Sequence, residues 1–351
     1  MKRLLGDPHN FGKKTYEEEG LIYKFRPLYG EYLLFARDSR FRKHLDHLFE
    51  DLPFPLIDCS RPNLTYSTCI QLMEKISVKS LPAKLSLSQI KSLGRALGVI
   101  QWLGVADLSD ENIICGLSQN DQFIFAPIDL ELIFSNVNTL ISYSVLFPKH
   151  EHKLERIFGL RSLQQQLLQL DEKEVTELLE SQMTTLQKLN DQHVKLCQFI
   201  EADIGPLQNI VIRVIMRDTF DYSNKIDIDK WHPEELVQYN RGDIPIFYKK
   251  LGANEVFYLG ENDEVIYVKD KGFYENLQLS IIENSKWIPN YDVVTIFFIE
   301  SLLPLIFPSS KDLKLELNGN IFILVKRGIL FCYLNNKLFK RKLNYENFKE
   351  S

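Results

Sequence analysis

Asp107-Leu108-Ser109-Asp110-Glu111-Asn112, followed after a short apolar stretch by Ile128-Asp129-Leu130-Glu131, is the part of the chain whose reading decides its fold. Upstream, Ile90, Leu93, Leu97, Ile100 and Leu103 recur at helical spacing behind Ser86, which suits an N-cap, and Gly104 ends the pattern. Downstream, Ile113-Ile114-Cys115 and residues 122–128 predict two strands joined by a Gln119-Asn120-Asp121 turn. Helix, acidic loop, hairpin and second acid therefore follow in order. Moving a phosphoryl group from ATP asks little covalent chemistry of a protein. It needs an acid near the attacking hydroxyl and oxygen ligands that hold Mg²⁺ against the phosphates. Kinase-like folds place an Asp and an Asn five residues apart on one loop, and a metal-binding Asp beyond the next hairpin. Asp107, Asn112 and Asp129 fit that order. Asp and Asn are also common turn residues, so the spacing alone leaves an ordinary capped loop open.

Toward the N-terminus, residues 13–26 read as a hairpin whose second strand is Leu21-Ile22-Tyr23-Lys24-Phe25. Lys24 is a lone cation in an apolar strand. A solvent-facing lysine is the ordinary explanation, but in a kinase-like fold such a lysine reaches the ATP phosphates. Arg26 should point the same way, because strand side chains alternate. No G-x-G-x-x-G loop precedes Lys24; Gly6-Asp7-Pro8-His9-Asn10 stands there instead.

The rest of the chain bounds the possibilities. Its 351 residues suffice for a two-lobed molecule. A formal charge of −5 offers no global field for nucleic acid. The apolar stretch 293–307 is interrupted by Glu300 and Pro304, too broken to span a bilayer, and no signal peptide is visible, so a cytoplasmic protein is expected. Cys59, Cys69, Cys115, Cys197 and Cys332 are odd in number, widely spread and without zinc spacing, which predicts reduced, mostly buried thiols. His44 and His47, on a segment with Arg40, Arg42 and Lys43, predict a solvated basic helix face rather than a metal site. Helical spacing covers 31–52 and most of 154–203, with a break near Asp171, and a short helix is predicted at 65–75. Another helix is predicted through Arg213 and Arg217, two cations one turn apart and most simply an exposed basic face. After residue 250 the pattern changes to short strands.

Six segments, in order, resemble the dehydratase domain of class II lanthipeptide synthetases (LanM type). Gly6-Asp7-Pro8-His9-Asn10 is similar to that family's GD-x-H-N opening, and Tyr23-Lys24-Phe25-Arg26-Pro27 to its YKPR segment. The loop Asp107 to Asn112 resembles its D-x-H-x-E-N, and residues 128–131 its IDLE strand. Arg213 to Thr219 resembles R-x-x-x-R-x-T, and Gly242-Asp243-Ile244-Pro245-Ile246-Phe247 resembles GDIPYF. Each motif is modest alone; the ordered set, over residues 6–247, is specific.

The resemblance implies an α+β, two-lobed protein- or lipid-kinase-like fold with a strand-containing C-terminal extension. The N-lobe would cover 1–80, a mostly helical C-lobe 81–250, and a strand-rich region of open role 251–351. It implies ATP and Mg²⁺ as cofactors, with Lys24, Arg26 and Glu131 on the nucleotide, Asp107 as the catalytic acid residue, and Asn112 and Asp129 as metal ligands. Asp7, His9, Arg213 and Thr219 match positions tied to handling and eliminating phosphate. The expected activity is phosphorylation of Ser and Thr in a precursor peptide, then elimination to dehydroalanine or dehydrobutyrine. A separate cyclase or leader-binding protein would be a further partner; nucleic acid and membrane would not.

Two departures keep alternatives open. Ser109 stands where the family loop has histidine, removing a group that titrates near neutrality. The chain also opens at the GD-x-H motif and lacks cyclase zinc ligands, so thioether ring closure is not expected of it. A kinase that stops at phosphorylation, and a non-catalytic binding module that keeps the fold, are the alternatives.

Overall fold

A computed structural model describes residues 2–62, 70–134, 146–147, 158–214, 216–217, 219–251, 253, 255–269, 290–307, 312–317 and 321–343. It is a mixed α/β molecule with several antiparallel sheets. Strands β1 (Arg3–Leu4), β2 (Tyr16–Glu18), β3 (Leu21–Lys24) and β4 (Gln71–Glu74) form one sheet in that order. The β2–β3 hairpin turns at Glu19-Gly20, both with positive φ (52° and 80°), the geometry that suits strand twist. Tyr16 and Tyr23, directly opposite each other, stack at 4.4 Å and fix the register that puts Lys24 on the inner face. Residues 71–74 are therefore a strand rather than part of a helix, and 65–69 lie outside the described residues.

The helix predicted over 31–52 is two: α1 (Tyr29–Phe35) and α2 (Arg40–Leu48). The break has a clear cause. Ser39 caps α2, and the buried Asp203 carboxylate accepts from Ser39 Oγ at 2.9 Å and from the Arg40 and Phe41 amides at 3.0 and 2.9 Å. Nor is α2 a wholly solvated basic face: Arg42 is buried and donates to the Leu34 carbonyl at 2.7 Å, because its stem packs inward. Next comes α3 (Leu87–Trp102), closed at its start by a Ser86/Gln89 capping box, and the β5 (Ile113–Leu117) and β6 (Phe123–Pro127) hairpin.

Helices α4 (Gln164–Leu167), α5 (Glu172–Asp191) and α6 (His193–Ile204) follow, with Asp171 capping α5. Gly94 and Gly98 let α3 lie against α5: a Cβ on either would fall 2.5 Å from the Leu178 carbonyl or 2.8 Å from that of Gln182. A second sheet runs β10–β9–β8–β7, with β7 (Val211–Val214), β8 (Phe247–Lys250), β9 (Val256–Leu259) and β10 (Val265–Tyr267); the short helices α7 (Thr219–Ser223) and α8 (Pro233–Asn240) lie between β7 and β8. Arg213 is thus on a strand, not the predicted helix, since the apolar Val211, Ile212 and Val214 pair with β8. Helix α9 (Tyr291–Ile306) carries Pro304 in its last turn, and β11 (Leu313–Leu317), β12 (Ile321–Lys326), β13 (Ile329–Leu334) and β14 (Lys337–Lys342) form a third four-stranded sheet. One main apolar core runs from α1 through α3, α5 and α9 to that sheet. Among the described residues no helix is long and apolar enough to cross a membrane. Cys59, Cys115, Cys197 and Cys332 are free, and burial pushes their thiols up.

Candidate active site

The centre of the site is a chain of ion pairs that starts on β3. Lys24 and Arg26 project to the same side, as strand alternation requires. Glu31, on α1 and completely buried, accepts from Lys24 Nζ at 3.1 Å and from Arg26 Nη2 at 2.6 Å. Asp129 Oδ1 lies 2.8 Å from Lys24 Nζ and 2.7 Å from Arg26 Nη2. Glu131 continues the chain, 3.7 Å from Arg26 Nε and hydrogen-bonded to Arg213 Nη1 across from β7. Segments far apart in sequence are thereby tied into one cluster.

The electrostatics follow from burial and pairing. Burial alone would raise the Glu31 carboxyl, but the Arg26 and Lys24 charges outweigh it and hold it at about 2 against an ordinary 4.5. The Asp129 carboxyl would likewise rise on burial, but Lys24 and Arg26 hold it well below the usual range. Arg213 is also desolvated, yet Glu131 and then Asp107 keep it firmly cationic.

The backbone places the two acidic loops side by side. The Ala106 amide donates to the Leu132 carbonyl at 2.9 Å and the Phe134 amide to Leu103 at 2.7 Å, while the Ile128 amide reaches Asn112 at 2.7 Å. Asp107 and Asp129 both sit in the left-handed region, at φ 58° and 64°. Non-glycine residues rarely hold that conformation, and Asp tolerates it best because of its short polar side chain. Asn112 Nδ2 donates to the Asp107 carbonyl at 2.8 Å, which leaves its amide oxygen unused by that bond. Asp129 keeps 40% of its side chain exposed and spends only Oδ1 on the cations. Asn112 Oδ1 and Asp129 Oδ2, on these adjoining loops, are hard oxygen donors by type, the class of atom Mg²⁺ prefers. No cluster of three His, Cys, Asp or Glu side chains able to hold a metal occurs among the described residues.

A cavity of about 100 Å³ opens beside this cluster, lined on one side by Asp7, His9 and Asn10 and on the other by Arg26, Asp129 and Glu131. Its wall is made by two of the six motifs meeting each other. His9 Nδ1 donates to the Ile244 carbonyl at 2.8 Å and the Ile244 amide donates to Pro8 at 2.9 Å. The buried Asp243 carboxylate accepts from the Phe11 and Gly12 amides, both at 2.8 Å, and Asn10 Nδ2 donates to Tyr248 Oη at 2.9 Å. With Nδ1 facing a carbonyl, neutral His9 carries its proton there and leaves Nε2 unprotonated, an acceptor. Burial, then the Arg213 charge, lower its pKa.

Nine of the ten expected site residues fall on this cluster or its cavity, directly or through the adjoining loop. Thr219 does not: it opens α7 and belongs neither to the cavity lining nor to the chain of ion pairs. Arg217 also diverges from Arg213, donating to buried Glu235 at 2.9 Å and to the Lys230 carbonyl at 2.8 Å. Glu31 belongs to the site although none of the six motifs contains it, and Asp243, inside the sixth motif, has a structural part there that the motif did not assign. Glu31 had a visible signal, a single acid within Tyr29-Gly30-Glu31-Tyr32-Leu33-Leu34-Phe35, since a lone charge on an apolar helix is buried only when paired.

Fold and site define a mixed α/β molecule in which strands β3 and β7, helix α1 and the loops after β3 and β6 bring three cations and three carboxylates into one cluster. No protein-family model matches the chain, and no curated protein matches it.

Proposed function

We propose that this cleft binds Mg²⁺-ATP and phosphorylates serine or threonine side chains of a peptide, on a two-lobed kinase-like frame. The observation that carries the reading is the Lys24–Glu31 pair facing Asp129, because kinases require both a strand lysine held by a helix glutamate and a metal-binding aspartate opposite it. Lys24 and Arg26 offset charge on the phosphate oxygens, and Glu31 fixes where those cations point. The carboxylate of Asp107, beside Asn112, accepts the proton of the attacking hydroxyl as its oxygen bonds to phosphorus and the bond to ADP breaks. Mg²⁺ supplies charge neutralisation of the phosphates when held by Asn112 and Asp129.

The order of the six motifs supports a second step, elimination to dehydroalanine or dehydrobutyrine. A base removes the α-proton, its electron pair forms the C=C bond, and the Cβ–O bond breaks to release phosphate. His9 Nε2, in the cavity with Asp7, is placed to take a proton, and Arg213 to bind the leaving phosphate in two-point fashion. Arresting at phosphorylation is the second reading. It is favoured by Thr219 standing off the cavity and by Glu131 occupying Arg213.

Mass spectrometry of a Ser/Thr-rich peptide incubated with the full chain, Mg²⁺ and ATP tests both. Loss of one water per modified residue is expected, and Arg213→Ala should convert that product into stable phosphopeptide. Phosphopeptide from the unaltered chain would remove the elimination step. No mass change and no ADP would remove the whole reading.

A further inference from the structure

The third sheet has one face buried and one face in solvent, and the solvent face is not an ordinary polar one. Strand alternation assigns it. Leu315, Ile323, Val325, Cys332 and Leu334 point to the core, while Phe322 (39% exposed), Leu324 (41%), Tyr333 (40%) and Leu338 (66%) point outward. The register groups the outward residues into rows across the strands. Lys314, Leu324, Phe331 and Lys340 form one row, and Lys326, Ile329 and Lys342 a second. Each row is apolar at its centre and lysine at both ends. A third row, Glu316, Phe322, Tyr333 and Leu338, extends the apolar strip.

The charge is local to this part of the chain. Residues 312–343 hold seven Lys and Arg against two acids, +5 within a chain whose formal charge is −5. On the core side of β14 the cations are matched, Lys337 with Asp292 at 3.5 Å and Arg341 with Glu300 at 3.7 Å. On the solvent side, none of Lys314, Lys326, Lys340 and Lys342 has a carboxylate within ion-pair distance among the described residues. Lysines on an edge strand deter aggregation, which accounts for Lys340 and Lys342 but not for the apolar strip between the rows. An exposed apolar patch rimmed by one sign of charge marks an interaction site.

We infer that this face and the β14 edge dock an extended segment of a separate polypeptide, carrying Asp or Glu alternating with apolar side chains. Three observations choose that occupant. The four lysines, unmatched by described carboxylates, call for carboxylates on the partner. The outer edge of β14 pairs with no described strand, and alternate residues of an antiparallel edge turn their N–H and C=O outward, ready for another strand. The described turns at the ends of the sheet, Arg327-Gly328 and Asn335-Asn336, carry no apolar side chain that would insert into a bilayer. A second copy of the chain is disfavoured as well, since β14 against β14 sets like charges opposite one another. The inference does not depend on phosphoryl transfer.

The test uses the purified full chain titrated into a fluorescein-labelled peptide of alternating Glu and Leu, about ten residues long to overlap the six-residue strand. Fluorescence anisotropy should show saturable binding that weakens with salt, and amides in 337–342 should gain protection from hydrogen exchange. The double variant Lys340→Glu/Lys342→Glu should weaken binding roughly tenfold or more without moving the melting temperature, while Lys314→Glu, on the opposite edge of the sheet, should weaken it less. Three outcomes would overturn the proposal: an alternating Lys–Leu peptide binding equally well, phosphatidylserine vesicles binding while the Glu–Leu peptide does not, or no saturable binding at all.

Discussion

Glu31 and Asp129 face each other across one pair of cations: Lys24 Nζ stands 3.1 Å from the first and 2.8 Å from the second, and Arg26 Nη2 stands 2.6 and 2.7 Å from them. The two carboxylates differ in what surrounds them. Glu31 is sealed in the core, whereas Asp129 opens on the cleft. The first is therefore a permanent anchor and the second is the one able to exchange partners.

Glu31 should make stability sensitive to acid. Its folded-state pKa lies at about 2, below the ordinary 4.5, so its contribution is complete above 4.5 and is lost as pH falls toward 2. The gap corresponds to roughly 3 kcal/mol. Urea unfolding of Glu31→Gln against pH checks this: the variant should lose roughly 3–5 kcal/mol at neutral pH, leaving two buried cations undercompensated, and its acid dependence should flatten. An unchanged acid limb would contradict the pairing.

Lys24→Met separates chemistry from folding. Arg26 still bridges Glu31 and Asp129 in that variant, so most of the structure should persist. ADP formation should fall by at least roughly a hundredfold, the scale of losing one preorganised charge contact in the transition state. Coupled-assay rates alongside circular dichroism decide it; an active variant would displace Lys24 from the nucleotide.

Gly30→Ala is the smallest change expected to damage the site from outside it. A Cβ there would sit 2.4 Å from Leu130 Cβ and 2.8 Å from its carbonyl oxygen, neither of which can swing away. The α1 helix must back off from residues 129–131, parting Glu31 from the Leu130 amide it accepts from at 3.2 Å. Thermal melts should report a loss of about 1–3 kcal/mol, together with a lower kcat.

His9 should impose a second, milder pH dependence. Burial and Arg213 lower its pKa, so the native state resists protonation that the unfolded chain accepts. Stability is then intact above 6.5 and declines as pH drops below 6.5 toward the lower native value. His9→Asn keeps a donor for the Ile244 carbonyl and should remove that decline in a melting-temperature profile.

The sequence made the inner site legible where short-range rules operate. Helix α3, its cap at Ser86, the β5–β6 hairpin and the common face of Lys24 and Arg26 all follow from spacing along one element. What stayed hidden depends on distant partners. Arg213 looked helical because its neighbours suit either period, and only pairing with β8 makes it a strand residue. The α1–α2 break is visible only once Asp203, more than 160 residues away, reaches Ser39. Glu31 was counted as the start of an amphipathic helix, although its apolar neighbours already called for a buried countercharge.

The single oxygen that Asp129 shares between Lys24 and Arg26 has one more consequence. On the proposed function, a divalent ion arriving alone would meet two positive charges already holding Asp129, and a nucleotide arriving alone would meet Asp129, Glu131 and the field of Asp107. Each would relieve the other's repulsion. Metal and nucleotide should therefore show positive, reciprocal linkage, so that calorimetry registers little heat from either by itself and a tight complex from the pair.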